Sequence, residues 1–212
     1  MQVFPRALNL LPLIAAGALA GGGATATFAL WYYASPKNLQ VGYAPEQPVP
    51  YSHKLHAGEL GIDCRYCHAN VERSQEAMVP PTQTCMGCHA LVKQDSPKLA
   101  PVRESWASGE PVPWVRIHKL PDHVFFDHSV HMAAGVGCVS CHGRIDQMDV
   151  VRLDKPISMG WCLECHRDHV PQLRPRAEIT NMAWQRPEAD AVGEAVARAD
   201  LHPPTHCSGC HR

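Results

Sequence analysis

Apolar residues are concentrated in one long stretch near the amino terminus. Between Arg6 and Lys37 the chain carries no Asp, Glu, Lys or Arg, and a stretch of this length crosses a bilayer as a helix. Residues 31–33, one Trp and two Tyr, close the apolar stretch with aromatic rings typical of a membrane interface. The pattern predicts one transmembrane helix within residues 1–36.

A cleaved signal peptide is the competing interpretation of this stretch. Residues 18–20 read Ala-Leu-Ala, which resembles the small-residue site that signal peptidase cuts. Apolar character nevertheless continues to Tyr33, beyond the usual length of a signal peptide, and this favours a retained anchor. The positive-inside count does not decide the orientation, because one arginine precedes the stretch and one lysine follows it.

Prolines recur along the polar part of the chain. Residues 37–50 contain three prolines, and this composition favours an extended linker over a helix. A second proline-rich segment, residues 97–113, is predicted to be irregular and to run over the surface. Near the carboxyl terminus, Pro187 is followed by Ala189, Val192 and Val196 at helical spacing, which predicts a short helix.

All ten cysteines occur in C-x-x-C pairs that are followed directly by histidine. This is the attachment signature of c-type haem, in which two thiols bond the vinyl groups of one porphyrin and the histidine binds iron. Zinc sites also use C-x-x-C pairs, but they do not need histidine after every second cysteine. The sequence therefore predicts five haems. The predicted thioether residues are Cys64, Cys67, Cys85, Cys88, Cys138, Cys141, Cys162, Cys165, Cys207 and Cys210. The predicted proximal iron ligands are His68, His89, His142, His166 and His211.

Composition agrees with a chain that builds little core of its own. Aromatic residues are 7% and charged residues 18% of the chain, both low for a soluble domain. Because few residues are available for each haem, the porphyrins are expected to form the core. The formal net charge is −1, and the haem propionates would make the assembled protein more acidic, so arginines are expected beside them. No basic run suggests a nucleic-acid partner.

A repeat organises the soluble part. An H-x-x-H pair precedes Cys64, a second pair precedes Cys138, and each copy is followed by another attachment motif. The sequence thus predicts a linker at 37–50, a first dihaem repeat with its connector at 51–117, a second dihaem repeat at 118–170, and a segment at 171–212 with the fifth haem.

The histidines outside the attachment motifs are candidates for the distal side of the irons. A spacing of three residues projects both imidazoles of an H-x-x-H pair toward one side of a helical turn, where they can cap two neighbouring irons. His118 is the leading candidate for the fifth iron, with Met159, Met148 and His169 as alternatives, and a methionine ligand would raise the reduction potential. His123 and His202 are interpreted as structural. The four paired candidates are His53, His56, His128 and His131.

These features resemble a known family. The double repeat with its H-x-x-H pairs, residues 114–131 and the run Met-Gly-Trp-Cys at 159–162 are similar to the pentahaem cytochrome c subunit of alternative complex III. The resemblance covers residues 51–212 and extends to the single amino-terminal anchor. It implies a class III-like multihaem fold, mostly irregular with few short helices around stacked haems.

The resemblance also implies a setting. Complexes of that family oxidise membrane quinol and reduce a periplasmic electron carrier, and the pentahaem chain is an electron-transfer subunit rather than an enzyme on its own. Its expected partners are an iron–sulfur subunit, a polytopic quinol-binding membrane subunit and a monohaem cytochrome c. Because covalent haem attachment takes place outside the bacterial cytoplasm, the haem region is expected on the periplasmic side of the inner membrane.

Two other functions compete with this interpretation. One is a stand-alone, membrane-anchored multihaem quinol dehydrogenase that feeds a periplasmic reductase. In such proteins the first haem lies next to the membrane, whereas here Cys64 follows Tyr33 by about thirty residues. The other is reduction of a small molecule at an open haem, which needs an iron with a vacant position, and the many histidines disfavour it.

Overall fold

The computed structural model describes residues 5–35, 40–187 and 201–211. The chain forms two compact units, Met1–Val41 and Gly42–Arg212. The short helix predicted around residues 187–196 lies outside the described residues, apart from Pro187. The division of residues 51–212 into two dihaem repeats and a carboxyl-terminal segment stays a prediction.

The first unit is a single helix. A 3-10 turn at Arg6–Leu10 leads into α1, Leu11–Tyr33, which has a proline in its first turn. Pro12 fits there because the first helical N–H groups need no partner within the helix. None of the described residues of α1 is buried. The segment Ala7–Tyr33 is long and apolar enough to cross a membrane, so the predicted helix is present, and its role as a membrane anchor stays a prediction.

The second unit is built from short helices and irregular chain. Its described residues contain no β-strand, only isolated antiparallel bridges such as Val124 with His211. The sequence-based expectation of an irregular fold with a few short helices is confirmed at this level. The α-helices are α2 (Cys64–Cys67), α3 (Thr82–His89), α4 (Ala100–Ser108), α5 (His128–Ala134), α6 (Cys138–His142) and α7 (Met159–Arg167). Single turns lie at Lys54–Glu59 (π-helical) and at Pro97–Leu99, Ile145–Gln147, Val170–Gln172, Arg176–Glu178 and Cys207–Gly209 (all 3-10).

Local signals explain where several of these helices begin and end. The carboxylates of Asp63 and Asp127 accept backbone N–H groups at the starts of α2 and α5, and the Ser158 hydroxyl does the same for α7. Such side chains satisfy donors that have no partner within the helix. At the other end, Gly109 and Gly135 stop α4 and α5 with φ angles of 77° and 90°, a conformation that glycine adopts without steric cost.

The hydrophobic core of the polypeptide is small. One buried cluster contains Val49, Val102 and Val112. Another contains Val71, Met132 and Ile179 and packs against Cys138, the first thiol of the third attachment motif. A unit of this length that buries so few apolar side chains needs another source of stability. This agrees with the expectation that bound porphyrins complete the core.

The two H-x-x-H segments dock on each other's repeats. The Lys54 N–H donates to the Met148 carbonyl at 3.0 Å, and the Ser52 hydroxyl donates to the Asp149 carboxylate at 2.8 Å. In the matching position of the other repeat, the Ser129 N–H donates to the Ser74 carbonyl at 3.3 Å. Each H-x-x-H segment therefore binds the chain that follows the first attachment motif of the opposite repeat.

We expect Gly58→Ala to weaken the docking of the first H-x-x-H segment on the second repeat. A Cβ at Gly58 would overlap the Asp146 carbonyl oxygen, so the Lys54–Glu59 turn would have to move away from the second repeat. Overpacking of this kind costs about 1–3 kcal/mol, so the midpoint of chemical unfolding of the haem-loaded protein should fall. Gly160→Ala is the matched control, because nothing lies within 4 Å of its added Cβ. Equal midpoints for the two variants would contradict the exchanged docking.

Candidate haem-binding sites

Each attachment motif presents its reactive side chains from a helical turn. Four motifs lie on α2, α3, α6 and α7, and the fifth begins with the turn Cys207–Gly209. Residues three and four apart share one face of a helix, so in α3, α6 and α7, which include the motif histidine, the two thiols and the histidine lie on one face. None of the ten cysteines, all of which lie within the described residues, forms a disulfide with another, so every sulfur is available for attachment. This is the donor set that two thioether bonds and one axial iron ligand require.

The histidine of every attachment motif has its Nδ1 atom engaged in a hydrogen bond. Such a bond fixes the ring and raises its basicity as a metal ligand, and it leaves the Nε2 atom for a metal. Four of the five partners are backbone carbonyl oxygens. The carbonyls are those of Met78 for His68 (2.7 Å), Val92 for His89 (2.9 Å), Pro204 for His166 (2.7 Å) and His123 for His211 (3.2 Å). The exception is His142, whose Nδ1 lies 3.3 Å from the His118 Nε2 atom.

Two candidate distal histidines face the second attachment motif of their own repeat. The ring centroids of His56 and His89 are 6.2 Å apart, and those of His131 and His166 are also 6.2 Å apart. An imidazole nitrogen lies about 2 Å from a bound transition metal, so two rings on opposite sides of one iron have centroids about 6 Å apart. These two pairs have the spacing that axial ligation of one iron requires.

The first histidine of the second H-x-x-H pair is arranged in the same way. The rings of His128 and His142 have centroids 6.5 Å apart and planes within 10° of parallel. His128 donates from Nδ1 to the Gln75 carbonyl at 2.6 Å, which leaves its Nε2 for a metal. In the first repeat, the His53 Nδ1 atom is buried without a hydrogen-bond partner. Burial, followed by the charge of nearby His68, lowers the pKa of His53 to about 4.

Burial keeps these imidazoles in the form that binds iron. Desolvation of the charged form is the main cause that lowers the pKa of His142 to about 3, and it also lowers the pKa of His131 and His118. Neutral imidazole is the metal-binding form of histidine. At neutral pH these rings therefore have a nitrogen lone pair available without first losing a proton.

Two histidines have surroundings that the sequence did not predict. His118, the leading candidate for the fifth iron, lies beside His142 with a centroid distance of 4.4 Å. His123 pairs with the fifth motif instead, since its carbonyl accepts from His211 and the Phe125 N–H donates to the Cys210 carbonyl at 2.7 Å. No signal in the sequence could have found this contact, because it uses the backbone of residues 88 positions apart.

The alternative distal candidates differ in their surroundings. Met148 is buried, whereas Met159 is 67% exposed. Both ring nitrogens of His169 are buried without a hydrogen-bond partner in the polypeptide. A buried polar group normally has a partner, so the surroundings of His169 fit a residue that contacts a bound group.

Comparison with known proteins supports the class of cofactor. No protein-family model matches the chain. Over 98 residues the chain is 39% identical to the menaquinone reductase multihaem cytochrome c subunit of Nitratidesulfovibrio vulgaris, a match that covers 46% of this chain and 46% of that protein. The chain is thus homologous over nearly half its length to a multihaem cytochrome c, which implies c-type haems here.

Removing a distal histidine should open one iron without releasing its porphyrin. We expect His131→Ala to keep its full haem content, because the thioether bonds and His166 remain, but to gain a high-spin signal that responds to carbon monoxide. Val130→Ala is the matched control on the same helix, since its side chain is 62% exposed and all irons should stay low-spin. Electron paramagnetic resonance and carbon monoxide difference spectra distinguish the two variants. An unchanged low-spin spectrum for His131→Ala would disprove the assignment.

Proposed function

We propose that this chain is an electron-transfer subunit with five c-type haems that connects a membrane quinone pool to a periplasmic electron carrier. The observation that carries the proposal is the set of opposed histidine pairs, with centroids 6.2–6.5 Å apart. Irons capped on both sides are closed to small ligands and suited to passing electrons. This favours relay over reduction of a small molecule at an open haem.

Contacts between the attachment motifs support a continuous row of haems. The first and second motifs approach where Gly87 lies close to the Tyr66 hydroxyl, and the first and third motifs approach where the side chains of Cys64 and Cys138 are neighbours. The third and fourth motifs are joined through α5, which carries both His128 and His131.

The fourth motif adjoins the segment that carries the fifth, because His166 donates to the Pro204 carbonyl at 2.7 Å. The order in space is therefore second, first, third, fourth, fifth. Cys88 and Cys207, at the two ends of this row, are exposed. The ends are thus the places where electrons would enter and leave.

The polypeptide contributes position and rigidity. Bound haem supplies the one-electron chemistry of iron, and the described residues hold its two ligands. His56 donates from Nδ1 to the Ser52 carbonyl at 2.9 Å, and His131 donates to the Asp127 carbonyl at 2.7 Å. With both rings fixed in this way, the two histidines would hold a bound iron with little reorganisation on a change of oxidation state, which would keep each transfer fast.

The direction and setting we propose are those of alternative complex III. In this interpretation α1 anchors the chain in the inner membrane, the haem region lies on the periplasmic side, and electrons from quinol pass to a soluble carrier. An iron–sulfur subunit, a polytopic quinol-binding subunit and a monohaem cytochrome c would be its partners. The apolar segment Ala7–Tyr33 supports the anchor, and the multihaem homologue supports assembly with other subunits.

Menaquinone reduction is the second candidate function. The multihaem relative is named as a subunit of a menaquinone reductase, in which electrons run toward the quinone rather than away from it. A stand-alone quinol dehydrogenase remains the third. The three differ in the direction of electron flow and in whether the chain has partner subunits.

Purification in mild detergent followed by rapid mixing tests the proposal. We expect the chain to copurify with polytopic partners, and we expect a menaquinol analogue to reduce its haems, which then reduce a small periplasmic carrier. His131→Ala should slow this flow, whereas Val130→Ala should not. Reduction of the quinone by a reduced carrier, with no flow in the opposite direction, would favour the menaquinone reductase function. Isolation of an active chain without partners would favour the stand-alone dehydrogenase.

A further inference from the structure

The third attachment motif differs from the other four in the partner of its histidine. The Nδ1 atom of His142 lies 3.3 Å from the Nε2 atom of the His118 imidazole. In the other four motifs, the Nδ1 atom of the histidine faces a backbone carbonyl oxygen. A neutral imidazole nitrogen is a stronger base than a peptide carbonyl oxygen. The hydrogen bond from His142 should therefore give its ring more anionic character than the rings at the other motifs have.

The geometry separates this contact from axial ligation. The rings of His118 and His142 have centroids 4.4 Å apart and planes at 70°, too close for ligands on opposite faces of one iron, which need about 6 Å. The ring that meets this spacing from His142 is His128, at 6.5 Å. His118 directs its Nε2 atom at His142, so this atom is not free for another metal.

Neighbouring side chains hold His118 in place. Its carbonyl accepts from the Arg116 Nε atom at 3.1 Å, and the Arg116 guanidinium also pairs with the Glu76 carboxylate at 3.4 Å. When His118 carries its proton on Nδ1, its Nε2 lone pair accepts the hydrogen bond that the Nδ1–H group of His142 donates.

We propose that His118 is a positioning residue of the third haem, which accepts a hydrogen bond from the proximal ligand His142 and lowers the reduction potential of that iron. A more basic axial ligand stabilises the oxidised iron, so the potential falls as the hydrogen bond strengthens. This inference rests on the proposed haem binding at His142. It replaces the distal role predicted for His118 from the sequence.

Two substitutions at His118 test the inference through spectra and potentials. In the full-length protein, His118→Ala should keep five haems, all low-spin and without carbon monoxide binding, while the midpoint potential of one haem rises. His118→Gln, whose side-chain carbonyl can accept the same hydrogen bond, should recover part of that shift. Val130→Ala is the control, because its side chain is 62% exposed and every histidine stays in place, so every potential should stay unchanged.

The opposite results are equally specific. A high-spin haem that binds carbon monoxide in His118→Ala would make His118 an iron ligand and overturn the proposal. Five unchanged potentials in that variant would also overturn it. If His118→Ala loses a haem, His118→Gln decides, because recovery of five low-spin haems supports the hydrogen bond and continued loss contradicts it. Absence of low-spin haem in the unmodified protein would instead refute the proposed function itself.

Discussion

The hydrogen bond at the Nδ1 atom of each motif histidine is the interaction on which the proposed haem arrangement depends. A covalently attached porphyrin keeps its place through two thioethers, but its iron is held at a defined angle only if the proximal ring cannot rotate. Two of the partners come from distant parts of the chain, Pro204 for His166 and His123 for His211, whereas Val92 lies only three residues from His89. The irregular segments between the short helices therefore serve to deliver carbonyl groups to imidazoles.

The exchanged docking of the two H-x-x-H segments follows from the same constraint. Two dihaem repeats that packed only through their porphyrins would be free to slide, and their haems would lack a fixed separation. The contacts of Lys54 with Met148 and of Ser129 with Ser74 tie each ligand-bearing segment to the other repeat. In the proposed arrangement, these contacts of the polypeptide would fix the separation between the first and third haems.

Local features of this protein could be predicted from the sequence, whereas contacts between distant residues could not. The attachment motifs, α1 and the H-x-x-H turns depend on spacings of a few residues, and the structure has helical turns at each. The surroundings of His118 and His123 depend on residues that lie 24 and 88 positions away along the chain. The sequence shows a histidine in both cases, whether the imidazole binds iron or supports the residue that does. Only the geometry of the folded chain separates the two roles.

The central claim is that the porphyrins are the missing core and that every cysteine is used to attach them. Mass spectrometry of the denatured, purified chain tests this most directly, because thioether-bound haem survives denaturation whereas zinc and free haem do not. The account predicts an increase equal to five haem masses and no free thiol. Four or fewer haems, or cysteines recovered as thiols or disulfides, would contradict it.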